Sequence, residues 1–79
     1  MEVEKLYSTE EEDGIQFEVV RVNIKGFNIT EANAYAKPGY CKVILNIDGT
    51  ITRTHYFNNG VETSKERIIQ DERIKSLRR

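Results

Sequence analysis

The stretch that decides the fold is Ile15-Gln16-Phe17-Glu18-Val19-Val20-Arg21-Val22-Asn23-Ile24, the longest β-rich run in the chain. Its β-branched and aromatic residues suit a pleated, buried surface. Successive strand residues point to opposite faces, so Ile15, Phe17 and Val19 share one face and Val20, Val22 and Ile24 the other. The apolar pattern therefore changes phase in the middle. Strict alternation cannot bring both triplets to one core. Either a β-bulge at Val19-Val20 returns the second triplet to the first face, or the strand is covered on both faces. In a chain of 79 residues, cover on both faces implies a partner.

Working outward, Ser8 to Gly14 reads as a polar, acidic loop that ends in the turn signal Asp13-Gly14. The residues before it alternate weakly and form at most a short edge strand. After the run, Lys25-Gly26 makes a tight turn or a bulge. Phe27 to Ala36 admits a strand with Ala32, Ala34 and Ala36 on one face. It also admits a short helix over Glu31 to Lys37, capped by Thr30 and stopped before Pro38. The strand is preferred because it completes a meander. Pro38-Gly39 has the order of a type II turn, with the glycine at positive φ.

Tyr40 to Phe57 is the clearest element: two β-rich runs flanking Asn46-Ile47-Asp48-Gly49-Thr50. A two-residue Asp48-Gly49 turn pairs Ile47 with Thr50. A three-residue loop with a bulge pairs Asn46 with Thr50. The second register is favoured, because it gathers Cys41, Val43, Leu45, Ile51 and Phe57 on one face. Tyr40, Lys42, Ile44, Asn46, Thr50, Thr52, Thr54 and Tyr56 then share the other, and Arg53 and His55 need an edge or a partner. Asn58-Asn59-Gly60 ends the sheet. Thr63-Ser64-Lys65-Glu66 forms a capping box with Thr63 as the cap, and a helix follows to Leu77. Its apolar residues do not form one stripe: Val61 and Ile68 lie on one side, while Ile69, Ile74 and Leu77 spread round the other.

The expected fold is α+β, in a single domain over 1–79. An acidic segment (1–14) precedes an antiparallel β-meander of four or five strands (15–57), which is packed by one C-terminal α-helix (63–78). A core this small is thin. Cys41 is the only cysteine and His55 the only histidine, so neither an internal disulfide nor a Cys/His metal site is available to reinforce it. Oligomerisation is the compensator left, and a homodimer is the expectation. The unpaired thiol, the lack of a signal-peptide pattern and the lack of a long apolar run place the protein in the cytoplasm, with no membrane partner. Charge is uneven. Glu2, Glu4, Glu10, Glu11, Glu12 and Asp13 face a single Lys5 in residues 1–14, whereas residues 73–79 hold Arg73, Lys75, Arg78 and Arg79 and no acid.

No catalytic, cofactor-binding or metal-ligating set is expected. The favoured register opposes Cys41 and His55, a thiol–imidazole pair, but no third group orients it and no oxyanion-hole motif accompanies it. The consecutive loop carboxylates lack ligand spacing, and no phosphate-loop, dinucleotide or zinc-protease pattern occurs. The function expected is that of a small non-catalytic protein-binding domain, of adaptor or inhibitor type. Its candidate surface joins Tyr40, Lys42, Ile44 and Tyr56 on the sheet to Ile69, Ile74 and Leu77 on the helix. The alternative is a nucleic-acid-binding module, with bases stacked on the tyrosines and phosphates held by Arg73, Lys75, Arg78 and Arg79.

Overall fold

The computed structural model describes residues 2–26 and 31–77. Strands β1 (Glu2–Glu12) and β2 (Ile15–Lys25) lead to a 3-10 turn (Ala32–Tyr35). Strands β3 (Tyr40–Ile47), β4 (Ile51–Asn58) and β5 (Val61–Thr63) and helix α1 (Lys65–Leu77) follow. The five strands form one sheet in sequential order, β1-β2-β3-β4-β5. The α+β class with one C-terminal helix is as expected, and four details differ.

The first concerns direction. All neighbouring strands are antiparallel except β2 and β3, which run parallel. A parallel pair cannot be joined by a tight turn and needs a crossover of about a dozen residues or more. Residues 26–39 are that crossover. Within it Ala32–Tyr35 is a 3-10 turn, so neither the expected strand nor the two-turn helix forms over the described part. Phe27 to Thr30 lie outside the described residues. Asp48, at the tip of the β3–β4 hairpin, ties down the start of the crossover. Its Oδ1 accepts the Gly26 N–H at 2.9 Å, and its own N–H donates to the Ile24 carbonyl at 2.8 Å.

The crossover also resolves the phase switch. β2 carries no bulge: Val19 and Val20 pair in turn with Ser8 and Tyr7 on one side and with Lys42 and Val43 on the other. The strand is covered on both faces, and this chain supplies both covers. On one face Val20, Val22 and Ile24 pack with Cys41, Val43, Leu45 and Phe57 under Ala32, Tyr35 and Ala36 of the crossover. On the other, Ile15, Phe17, Val19 and Ile44 pack under Ile68 of α1, flanked by Tyr40, Tyr56 and Ile69. Val19, Val20 and Val22 are each 0% exposed. Burying each stabilises the fold by about 1.5–3 kcal/mol. The partner that two-sided cover implied is not needed for it.

Second, the acidic N-terminal segment is not a loop. All of Glu2–Glu12 pairs with β2 in continuous register, closed by Glu12 opposite Ile15. The turn is Asp13-Gly14 alone, both at positive φ (51° and 80°), as a tight hairpin turn requires.

Third, the β3–β4 register matches neither expectation. Ile47 stands opposite Ile51, with Asp48 and Gly49 at positive φ and the Thr50 N–H donating to the Ile47 carbonyl at 3.0 Å. This differs from the favoured register by two residues, an even step, so the faces come out as expected while the neighbours change. Cys41 faces Phe57 and His55 faces Val43.

Fourth, the sheet continues past Asn58. Asn59-Gly60 is a tight turn, and Val61–Thr63 adds a fifth strand. Thr63 is thereby taken into the ladder opposite Tyr56, and the cap moves on by one residue. Ser64 Oγ accepts the Arg67 N–H at 3.1 Å, which satisfies one of the first-turn donors.

Candidate functional site

The residues expected to form a surface fall into two groups. Tyr40, Ile44, Tyr56 and Ile69 are brought together, but between sheet and helix. Ile44 is buried in the cluster around Ile68, and the other three pack against it half-buried. Phe17 joins the two tyrosines, with ring centroids 6.2 Å from Tyr40 and 5.7 Å, edge-on, from Tyr56. Burial pushes both phenols above their ordinary pKa, because it penalises the phenolate. For Tyr40 a hydrogen bond with Glu72 adds to this and Lys75 opposes it. For Tyr56 the positive charge of Lys42 opposes it. Ile74 and Leu77 stay exposed, Leu77 at 84%. Leu77 borders an open groove of about 650 Å³ between the second half of α1 and the Asp13-Gly14 turn.

Lys42 does not stand free. Its ammonium lies 3.6 Å from Glu10 and 3.5 Å from Glu12, and 5.9 Å from the centre of the Tyr56 ring. The Tyr56 hydroxyl donates to Glu12 at 3.4 Å. Arg21 adds a contact to Glu10 at 3.7 Å. Two carboxylates of β1 are thus drawn inward over the sheet by cations of β2 and β3.

The basic residues of the helix are also partly engaged. Lys75 donates to the Tyr40 hydroxyl at 3.2 Å and lies 3.9 Å from Glu72. Arg73 lines the groove beside Asp13 and Glu72. Arg78 and Arg79 lie outside the described residues. The cysteine and histidine are separate. Cys41 is fully buried and its sulfur accepts the Lys37 N–H at 3.3 Å. His55 Nδ1 sits 2.9 Å from a Glu62 carboxylate oxygen, which gives His55 the edge partner its position demanded. Among the described residues no group of three or more His, Cys, Asp or Glu side chains could hold a metal ion. No helix among them is long and apolar enough to cross a membrane.

The feature the sequence reading passed over is β1. It is an outermost strand of the sheet and pairs with β2 over all of its length. None of its residues is buried. Val3, Leu6 and Tyr7 are exposed at 36%, 51% and 55%. Glu2, Glu4, Leu6, Ser8, Glu10 and Glu12 share the face that carries α1, and Val3, Lys5, Tyr7, Thr9 and Glu11 share the crossover face, as their pairing with β2 dictates. The signal for the strand was the Asp13-Gly14 turn, which a long β-run follows and an equally long segment precedes. The low strand propensity of glutamate hid it.

The chain matches no protein-family model, no curated protein and no solved structure.

Proposed function

We propose that this protein is a small, non-catalytic binding domain that takes an extended segment of a protein partner beside β1, as a sixth strand of its sheet. One observation carries the reading: an eleven-residue strand, Glu2–Glu12, that contributes no buried residue and, among the described residues, pairs along one side only. Fixing a backbone residue costs about 1–2 kcal/mol of conformational entropy, and β1 has no fully buried side chain to set against that, only the partial cover of Val3, Leu6 and Tyr7. It closes the edge of β2 but offers a new edge of equal length. Such an edge is a template for another strand, and strand addition is a common mode of peptide recognition. A two-residue turn closes on a hydrogen-bonded pair. Alternation from Glu12–Ile15 then turns the backbone N–H and C=O groups of Val3, Lys5, Tyr7, Thr9 and Glu11 outward.

This reading moves the working surface from the sheet-and-helix face to the edge. Tyr40, Ile44 and Tyr56 serve the second core, while Ile74 and Leu77 stay exposed on α1. The test is affinity capture from cells that express the protein, run in parallel with Thr9→Pro. Proline at an outward position removes an edge donor and takes no bond from the β1–β2 ladder. The expected result is a partner held by the wild type and lost with Thr9→Pro, the variant keeping its circular dichroism spectrum. A partner held equally by both places the binding surface elsewhere and refutes the reading.

A further inference from the structure

We infer that the strand accepted by β1 is cationic on one face, and that β1 excludes a second copy of itself. The inference rests on the strand-addition reading and names the chemistry of its occupant. An incoming strand lies about 4.8 Å from β1, and about twice that from β2. Its nearest side-chain neighbours on the α1 face are therefore Glu2, Glu4, Leu6, Ser8, Glu10 and Glu12. The cations that offset these acids, Arg21 and Lys42 by contact and Lys25 by its place opposite Glu2, belong to β2 and β3. They stand one strand or more further in. Glu10 and Glu12 are drawn inward to Lys42, so Glu2 and Glu4 are the carboxylates that lead at the edge, and opposite charges on neighbouring strands are the pairs that stabilise a sheet. On the other face Val3 offers apolar contact, the Lys37 ammonium lies 4.4 Å from the centre of the Tyr7 ring, and Lys5 and Lys37 outweigh Glu11.

The same pattern rejects a second β1. Antiparallel strands related by a two-fold axis pair residues on the same face. In the registers that keep most of β1 paired, centred on Leu6, Tyr7 or Ser8, glutamates meet. Glu2 falls opposite Glu10 in the first. In the second, Glu2 meets Glu12 and Glu4 meets Glu10, and in the third Glu4 meets Glu12. Symmetry repeats each contact. The Ser8-centred register gains a Lys5–Glu11 pair and still keeps the acid pair. Like charges directly opposite destabilise a ladder, and charged edge residues are a known guard against self-association.

The probes are two synthetic peptides of equal length, one alternating lysine with valine and threonine, the other with glutamate in place of lysine. Binding is followed by fluorescence anisotropy at low and high salt. Each exposed ion pair is worth a few-fold at most, so several in a row give a preference on the order of tenfold for the lysine peptide. The preference is expected to shrink with salt and to fall several-fold in the double variant Glu2→Gln, Glu4→Gln. Thr9→Pro is expected to abolish binding of the lysine peptide. If both peptides bind the wild type equally and neither binds Thr9→Pro, strand addition stands and the charge rule falls. Equal binding of the lysine peptide to Thr9→Pro means attraction without strand pairing, and overturns the inference. If neither peptide binds, both readings fall. Sedimentation equilibrium tests the exclusion: a monomer is expected, and a dimer dissociated by Thr9→Pro overturns it.

Discussion

Ile68→Ala probes how the helix is held. Ile68 is 0% exposed and is the only fully buried residue of α1, seated against Ile15, Phe17, Val19 and Ile44. An isolated helix of 13 residues is marginal in water and depends on such packing. Truncating a fully buried isoleucine to alanine removes transfer energy and leaves a cavity, at about 2–5 kcal/mol. A domain of 79 residues has a total stability of roughly 4–12 kcal/mol. The expected loss of about 3 kcal/mol is therefore a quarter or more of the whole. Urea unfolding measures it, with Ile74→Ala as the comparison. Ile74 is 44% exposed, and its truncation is expected to change stability by about 0.5 kcal/mol or less. Amide hydrogen exchange adds a local readout, because loss of the anchor frees α1 before the sheet unfolds. If α1 detaches in the native state, the denaturant slope also falls, since less surface remains to expose. A loss below about 1 kcal/mol, with α1 amides still protected, would refute the view that Ile68 anchors the helix.

Two further predictions follow from named contacts. Ser64→Ala is expected to cost about 1 kcal/mol in urea unfolding, and Thr63→Ala less, because Ser64 rather than Thr63 holds the Arg67 amide; the reverse order would return the cap to Thr63. Burial lifts the Tyr40 and Tyr56 phenols above their ordinary value, so the unfolded chain releases these protons first. Their contribution is complete below about pH 10 and is lost as pH rises through the higher folded values. The urea midpoint should drop in strong alkali, and drop less in Tyr40→Phe; an equal alkaline drop in that variant would show that Tyr40 takes no part.

The residues that the sequence placed correctly are those with strong local chemistry. Asp13-Gly14 and Asp48-Gly49 turn where positive φ demands it, and Lys65–Leu77 is helical behind a polar cap. The partition of Tyr40–Phe57 into two faces was also legible, since a shift of two residues leaves each side chain on its own face. Of the candidate surface, the sequence brought Tyr40, Ile44 and Tyr56 to one face correctly. It did not show that Ile68 would cover them, because a helix with scattered apolar residues does not announce which side it buries.

What the sequence alone determined, then, is a β-rich α+β chain, its turns, its C-terminal helix and a strand whose apolar pattern changes phase at Val19-Val20. Only the tertiary structure decided that the two apolar triplets stay on opposite faces, and what covers them. The parallel pairing of β2 with β3 requires a crossover between them, whose Ala32, Tyr35 and Ala36 cover Val20, Val22 and Ile24 while α1 covers Ile15, Phe17 and Val19. Tertiary pairing likewise made a strand of the acidic segment, whose own propensities favour a loop. A strand's ladder bonds belong to its neighbour as much as to itself, and β2, fixed by two cores, imposed its geometry on Glu2–Glu12 and so created the edge where binding is proposed.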